Sequence, residues 1–432
     1  MNPLNPILGA LAGLVLALSP AGATADCPPH GTFVIGPLKI VDVEDGEVRP
    51  GRALRIVAGQ IAEERDWHDE LPSEMAMPWI DGAGLFAIPG LIDAHVHAVW
   101  AADVPEAFFA DFLDHGVTAI RDMGGDLAVL ADTRQRLESC ELAGPRLMAS
   151  GPFLDGSNPV DPGLSIAIAD ETEARGAVRQ LAEAGVDFLK IYSLLPEAAL
   201  ASVLDEANAM GLAVAGHLPA GVPPDSALAF RFQTIEHMAI ETGGLCAGAA
   251  GSDCLNLLAR YAVNDVALTP TIGVRQTSTD MARTGFAPPA TVFPPIVADY
   301  WEGQRQAAVS RAGPDWFARR QASLDEIDQL TLAFQRAGGV LLAGSDTGNP
   351  FIAPGVSLHE ELRHLVEAGL TPREALAAAT SNAGRLFEPV RIGRLEPGYR
   401  ADIVLLESNP LENISATQEI RAVYVNGVRV DD

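Results

Sequence analysis

The stretch Ile88-Pro-Gly-Leu-Ile-Asp-Ala-His-Val-His97 decides how this chain is read. It is a short apolar run that closes on two histidines one residue apart. In an extended strand the side chains alternate between faces, so Asp93, His95 and His97 point the same way. Two imidazoles at that spacing on one face can bind one metal ion, although an H-x-H pair taken alone fits two core or surface histidines as well. The rest of the chain decides between these readings, because further ligand-type residues each close a strand of their own.

Outward from that stretch, from about Gly82 to Leu386, apolar strands alternate with amphipathic helices, the pattern of βα units around a parallel sheet. The expected strands are Leu85 to His97, Val117 to Met123, Arg146 to Gly151, Phe188 to Tyr192, Ala213 to His217, Thr234 to Met238, Ala267 to Ile272 and Val340 to Asp346. Asp170-Glu-Thr-Glu opens a helix that runs to Ala184 and stops at Gly185. Thr371-Pro-Arg-Glu opens another, with proline in its first turn. Eight such units predict an α/β fold of the (β/α)8 TIM barrel type. An open doubly wound sheet is the alternative, but no G-x-G-x-x-G follows the first strand.

The flanks are β-like and short. Phe33-Val-Ile, Leu38-Lys-Ile-Val and Leu54-Arg-Ile-Val come before the barrel pattern; Ala401 to Leu406 and Ala422 to Val430 follow it, with Asn426-Gly427 a strong hairpin signal. Neither flank can bury a core alone, so the two ends are expected to form one small β-sandwich into which the barrel is inserted. The expected organisation is residues 1–25 as a secretory signal, 26–82 and 389–432 as the two parts of the sandwich, and 83–388 as the barrel. The signal is read from the apolar run Leu8 to Leu18, too short for a membrane span, followed by Ala23-Thr24-Ala25 as a small-x-small cleavage pattern. Met1 to Pro6 lacks the usual Lys or Arg, and Asp26 before Cys27 argues against lipidation. A periplasmic or secreted mature chain, free of the membrane, is the expectation.

The 432 residues are 48% hydrophobic and 20% charged, an ordinary globular composition. Against 29 basic residues there are 57 acidic ones, a formal charge of −28 with no Lys/Arg-rich patch, which excludes nucleic acid as a natural partner. Such a surface serves solubility and could also attract cationic substrates. Cys246 and Cys254 are the favoured disulfide, Cys27 with Cys140 follows only by elimination, and buried free thiols are the alternative.

In an eight-stranded α/β barrel reactive groups gather where strands end at the C-terminal face. His95 and His97 end the first expected strand, Lys190 the fourth, His217 the fifth, His237 the sixth and Asp346 the eighth. The other five histidines, at 30, 68, 115, 359 and 364, fall in loops or helices and read as structural.

At these positions the sequence resembles the amidohydrolase superfamily, in its imidazolonepropionase-like and prolidase-like branch of metal-dependent hydrolases. The resemblance is carried by Pro89 to His97, Gly116-Val-Thr-Ala-Ile-Arg-Asp-Met-Gly124, Lys190-Ile-Tyr, Gly216-His217, Ile235-Glu-His237, Gly344-Ser-Asp346, Ala375 to Asn382 and Gly393 to Asp402. It implies a two-metal site in which His95, His97 and Asp346 hold one ion, His217 and His237 the other, and Lys190, carboxylated by CO2, bridges them. An ammonium beside two cations would be repelled, so a neutral amine able to take up CO2 suits that role. A water shared by such ions supplies hydroxide, with Asp346 as the catalytic proton acceptor. The imidazole-rich set favours zinc, with manganese, cobalt or iron as alternatives.

Asp93 shares parity with the histidines one layer deeper and is a candidate for supporting them. Tyr192 shares parity with Lys190, and related dipeptidases suggest it as a contact to a substrate carboxylate. The long segment Gly273 to Ser323, rich in aromatics and proline, is expected to be a loop that forms a lid. The function these features imply is hydrolysis of a C–N bond in a dipeptide, with proline or a basic residue at its C-terminus, or in an N-acyl amino acid. A cyclic amide or lactone is the alternative substrate, and a non-catalytic binding barrel the alternative from another class, against which stands the filled set of ligand positions. Imidazolone hydrolysis fits less well, since that enzyme works with one metal and no bridging lysine. Oligomeric state, including a homo-oligomer, is left open.

Overall fold

The computed structural model describes residues 30–68, 77–229, 232–240, 243–244, 252–285 and 293–430; the expected leader, Cys27, Cys246 and Phe286 lie outside the described residues. Mixed α/β structure is built around parallel strands. Leu91–Val96, Val117–Asp122 and Arg146–Ala149 pair in parallel. A second parallel sheet runs in the order Ser165–Ile168, Phe153–Gly156, Phe188–Ile191, Ala213–Gly216, Thr234–Glu236, Ala267–Thr269. Backbone hydrogen bonds link the two. Asp187 N donates to Ala149 O (2.9 Å), while segment 340–347 gives Leu342 N to Leu268 O (2.9 Å) on one side and its Ala343 O accepts from Ala94 N (2.9 Å) on the other. Leu91–Val96, Val117–Asp122 and Phe188–Ile191 are buried along their whole lengths, which is why they read as near-continuous apolar runs instead of alternating ones.

The covering helices follow their sequence signals. Glu171–Glu183 starts where the Asp170 carboxylate accepts from Thr172 N and Glu173 N (2.8 and 2.9 Å), and it buries Ala174, Ala177, Val178 and Leu181, one stripe at helical spacing. Pro372–Ala378 opens with a capping box between Thr371 and Glu374.

Both chain ends enter a single eight-stranded sheet that contains Phe33–Val41, Val48–Val57, Gln60–Asp66, Trp79–Asp81, Phe86–Pro89, Ile403–Leu406, Ile420–Val425 and Val428–Arg429. Its two faces serve two cores. On Ile403–Leu406, Ile403 and Leu405 pack with Phe33, Ile35, Leu54 and Tyr424, whereas Val404 and Leu406 pack into the large core with Ile88 and Val117. The Asn426-Gly427 turn has φ 49° and 72°, the pair of positive values a tight hairpin requires.

Four local expectations are corrected. The strand expected from Leu85 to His97 is two: Phe86–Pro89 pairs with Ile403–Leu406 in the end sheet, and Leu91–Val96 joins the parallel strands. Gly90 makes the transfer, where a Cβ would lie 2.1 Å from the Thr118 hydroxyl oxygen. Phe153–Gly156 is an additional strand beside Phe188–Ile191. Segment 340–347 forms only isolated bridges, at Leu341 and Thr347; within it Gly344 presses its backbone against His95, where a Cβ would lie 2.6 Å from the His95 Cβ. The long segment after the seventh strand is largely helical in its described residues, where a loop was expected: Ile272–Thr284, Pro295–Arg311 and Pro314–Arg336 are helices. The two described cysteines, Cys140 and Cys254, are both disulfide-bonded, and the pairing lies outside the described residues. Among the described residues no helix is long and apolar enough to cross a membrane.

Candidate metal centre

His95 and His97, at the end of Leu91–Val96, converge on Asp346. The Asp346 Oδ1 lies 3.5 Å from His95 Nε2 and 3.4 Å from His97 Nε2, and the three side chains form a compact group with metal-ligand spacing. The other Asp346 oxygen faces His237, 3.9 Å from its Nε2. The His237 ring stands 4.8 Å from that of His95 and 4.9 Å from that of His217. His217 and His237 therefore adjoin the triad without entering it, with the Asp346 carboxylate between the two groups. Lys190, fully buried near the end of Phe188–Ile191, adds to burial in lowering the proton affinity of His95 and His217. Asp93 ties the first strand to segment 340–346: its carboxylate accepts from His95 N (3.3 Å) and Ser345 N (2.9 Å). Tyr192 is stacked between Phe153 and His217, with ring centroids 4.4 Å away on either side.

Each imidazole is held by its other nitrogen. The Nδ1 of His97 meets Gly124 O (3.1 Å), which can only accept, so that nitrogen carries a proton and any lone pair is on Nε2; burial lowers this ring's proton affinity, but the Asp346 carboxylate beside Nε2 outweighs burial and raises it. His95 Nδ1 meets Glu236 Oε2 (2.8 Å), with the same consequence for the placing of its proton. His217 is held by Ser193 Oγ (2.8 Å) and His237 by Thr271 Oγ1. Sequence reasoning missed this layer. Glu236 also pairs with the fully buried Arg121 (2.7 Å), whose other nitrogens donate to Ala94 O (2.7 Å) and Thr234 Oγ1 (3.0 Å). Strict alternation sends Glu236 and His237 to opposite faces. Both face the centre because His237 has φ 62°, a left-handed turn that ends the strand. The available signal was a charged pair, Arg121-Asp122, inside an apolar run. Asp122 accepts from Ala98 N (2.6 Å) and Gly124 N (3.1 Å) and so fixes the loop beyond His97.

Burial sets the protonation states. It pushes His95 down to about 4 and His237 to about 3, and holds His217 well below the usual imidazole range. It lowers the Lys190 amine to about 8, although Glu236 and Asp346 oppose the shift. Burial would raise Asp346, but His95, His97 and His237 outweigh it and keep the carboxyl well below its ordinary range. Three neutral imidazoles and an ionised carboxylate make a donor set for cations, beside an amine that burial makes easier to deprotonate. Among the described residues three buried atoms here, His95 Nε2, Lys190 Nζ and Asp346 Oδ1, have no hydrogen-bond partner. An unmet buried polar atom costs about 1–3 kcal/mol; a cation would relieve His95 Nε2 and Asp346 Oδ1, and Lys190 Nζ as well once its amine has lost the proton. The residues fit divalent metal.

Two cavities flank the centre and share Tyr192 and Asn349. One, of about 490 Å³, reaches His217, His237 and Asp346 and is walled by the helices after the seventh strand. The other, of about 440 Å³, reaches His97 and is lined by Trp100, Phe153, Asp161 and Tyr300.

Residues 86–430 match the profile of the Amidohydrolase family. Ochratoxinase of Aspergillus niger is 40% identical over 110 residues, which are 25% of this chain and only 22% of that protein's length. Imidazolonepropionase of Cereibacter sphaeroides is 25% identical over 404 residues, 87% of this chain and 93% of that one. Among solved structures, one provisionally assigned as a prolidase, from Bifidobacterium longum, has a TM-score of 0.75 at 24% identity, covering 93% of this chain and 95% of its own. That likeness extends to the fold.

Proposed function

The chain belongs to the amidohydrolase family, hydrolases acting on carbon–nitrogen bonds, and from that premise we propose that it is a two-metal enzyme cleaving the amide bond of dipeptides or N-acyl amino acids. Its scaffold is read as a closed (β/α)8 barrel, supported by the bonds that segment 340–347 makes on both sides, with a small β-sandwich from the two chain ends. His95, His97 and Asp346 would hold one divalent ion, His217 and His237 a second, and Lys190, as its CO2-derived carbamate, would join them. The observation that carries this reading is that one buried atom each of His95, Lys190 and Asp346 lacks a hydrogen-bond partner among the described residues while the three groups act on one another electrostatically. Zinc suits the imidazole-rich set.

When bound, the ions would acidify a water and polarise the scissile carbonyl. Glu236 and Arg121 hold His95 with its proton on Nδ1, so that Nε2 faces inward. Asp346, ionised and facing both groups of ligands, takes a proton from the attacking water and returns it to the leaving amine. Tyr192, shared by the two cavities, lies where a substrate would pass from one to the other. Export to the periplasm or medium is supported by the bonded state of Cys140 and Cys254.

The test is a panel of dipeptides and N-acyl amino acids offered to chelator-stripped and zinc-reconstituted protein. Amino-acid release only after reconstitution is expected. Cleavage confined to cyclic amides or lactones would move the assignment to the alternative that the imidazolonepropionase likeness favours.

A further inference from the structure

Thr271, just beyond the strand Ala267–Thr269, has φ 49° and ψ 53°, a left-handed conformation that a β-branched residue rarely adopts. Strain of this kind persists only where the surroundings fix it. Residue 271 is also the N-terminal cap position of helix Ile272–Thr284, yet its side chain does not cap that helix. A threonine in this place ordinarily accepts from the amides two and three residues on. Here the hydroxyl is employed elsewhere: Oγ1 donates to Pro270 O (2.8 Å) and meets His237 Nδ1. A hydroxyl has one proton, and Pro270 O takes it. Oγ1 can therefore only accept from the imidazole, so His237 carries its proton on Nδ1 and turns Nε2 towards Asp346, 3.9 Å away. The capping that Thr271 gives up is done from another helix. Glu361 of Val356–Glu367, fully buried, accepts from Ile272 N at Oε1 (3.0 Å) and from Gly273 N at Oε2 (2.8 Å).

We propose that Glu361 is a positioning residue for the second cation: by clasping the first two amides of Ile272–Thr284 it keeps Thr271 left-handed and its hydroxyl on His237, which then offers Nε2 to the ion. The proposal rests on the two-metal reading above and extends it to a residue of the helix Val356–Glu367. The coupling is a competition for one hydroxyl. The amides of Ile272, Gly273 and Val274 stand in the first helical turn and need acceptors from outside the helix ladder. With Glu361 in place two of them are satisfied, and the Thr271 hydroxyl is left to His237. Without Glu361, an extended φ at residue 271 becomes the better state, because it removes the left-handed strain and turns the hydroxyl to the amides of Gly273 and Val274 as an ordinary cap. His237 then loses the acceptor for its Nδ1 proton, and nothing keeps that proton off Nε2. The main chain of His237 is fixed separately, through its N–H to Thr269 O (2.9 Å), so the clasp acts on the ring and not on the strand end.

The experiment takes two readouts on the full chain, each for the parent, Glu361→Gln, Thr271→Val and the double variant. Titration of the chelator-stripped protein with zinc against a chromophoric competitor gives a separate dissociation constant for each ion. In either single variant one ion should be held roughly tenfold more weakly and the other within about threefold of the parent. Because both substitutions break the same chain of contacts, the double variant should be no more than about threefold weaker than the singles. The second readout is the 15N spectrum of the metal-free protein labelled at histidine, with the His237 signals assigned by their loss in His237→Gln. It should show the ring proton on Nδ1 in the parent and on Nε2 in the variants. Glu361→Asp, which keeps the carboxyl but is too short to reach both amides, takes the place of Glu361→Gln where that variant does not fold, with the same results expected. Affinities unchanged for both ions, equal weakening of both, single losses that multiply in the double variant, or a proton still on Nδ1 would each overturn the proposal. If the parent binds no second ion, the two-metal reading fails separately. The 15N spectrum then decides on the clasp alone: a proton moved to Nε2 in Glu361→Gln supports it, and an unmoved one overturns it.

Discussion

Glu236 is fully buried, and its carboxylate is divided between His95 and the equally buried Arg121. Burial raises such a group, but Arg121 and His95 more than reverse that and keep it ionised. Glu236→Gln would leave a guanidinium in the interior without its counter-charge. We expect a loss of about 3–5 kcal/mol of stability in denaturant unfolding and ~10–100-fold weaker zinc binding by titration. Unchanged values for both would remove Glu236 from the support of His95. Lys190→Ala, prepared with excess zinc, should bind fewer ions than the parent by elemental analysis and lose amide hydrolysis; full retention of both would exclude a bridging role. Alternation along a strand was enough to place Asp93, His95 and His97 on one face. It could not reveal Glu236, because the left-handed φ of His237 that brings two neighbouring residues inward is a property of the folded strand end.

Among the elements, the helices that follow the seventh strand shape the cavities. Trp301, 1% exposed, anchors the middle helix: its indole N–H donates to Gly348 O (3.2 Å), and its ring packs against Phe293 and Phe351. Trp301→Ala should cost about 3–5 kcal/mol, read as a lowered unfolding midpoint. Glu361, from Val356–Glu367, reaches across to the start of Ile272–Thr284 and accepts from Ile272 N (3.0 Å) and Gly273 N (2.8 Å), next to the Thr271 that holds His237. Burial pushes the Glu361 carboxyl up to about 8 from 4.5, against the pull of those two amides. Because the folded chain keeps this proton where the unfolded chain has released it, the contribution to stability is complete below pH 4.5 and declines as pH rises to about 8. Glu361→Gln should flatten that decline, measured as the difference between parent and variant unfolding curves. A difference independent of pH would show that Glu361 does not titrate in this window. In the sequence the insertion is long and rich in aromatics and proline, which suits a loop. Pro295 and Pro314 instead occupy first turns, where a missing N–H is harmless.

At the scale of the whole molecule, the two-fold and 3.6-fold periodicities exposed the sequence of strands and helices, and the union of the chain ends in one sheet. They could not show that the first strand divides between two sheets at Gly90, since the close approach of Thr118 that leaves no room for a side chain there is a contact of the folded chain. Metal binding and folding should be linked. Zinc at about 1,000 times its dissociation constant should raise the unfolding free energy of the stripped protein by ~4 kcal/mol, and a chelator should reverse this. The central claim, a caged pair of cations, is tested most directly by anomalous diffraction at the zinc edge from crystals of reconstituted protein. One peak within coordination reach of His95, His97 and Asp346, a second beside His217 and His237, and carbamate density on Lys190 between them is the predicted result. Zinc bound only elsewhere, with an unmodified Lys190, would contradict it.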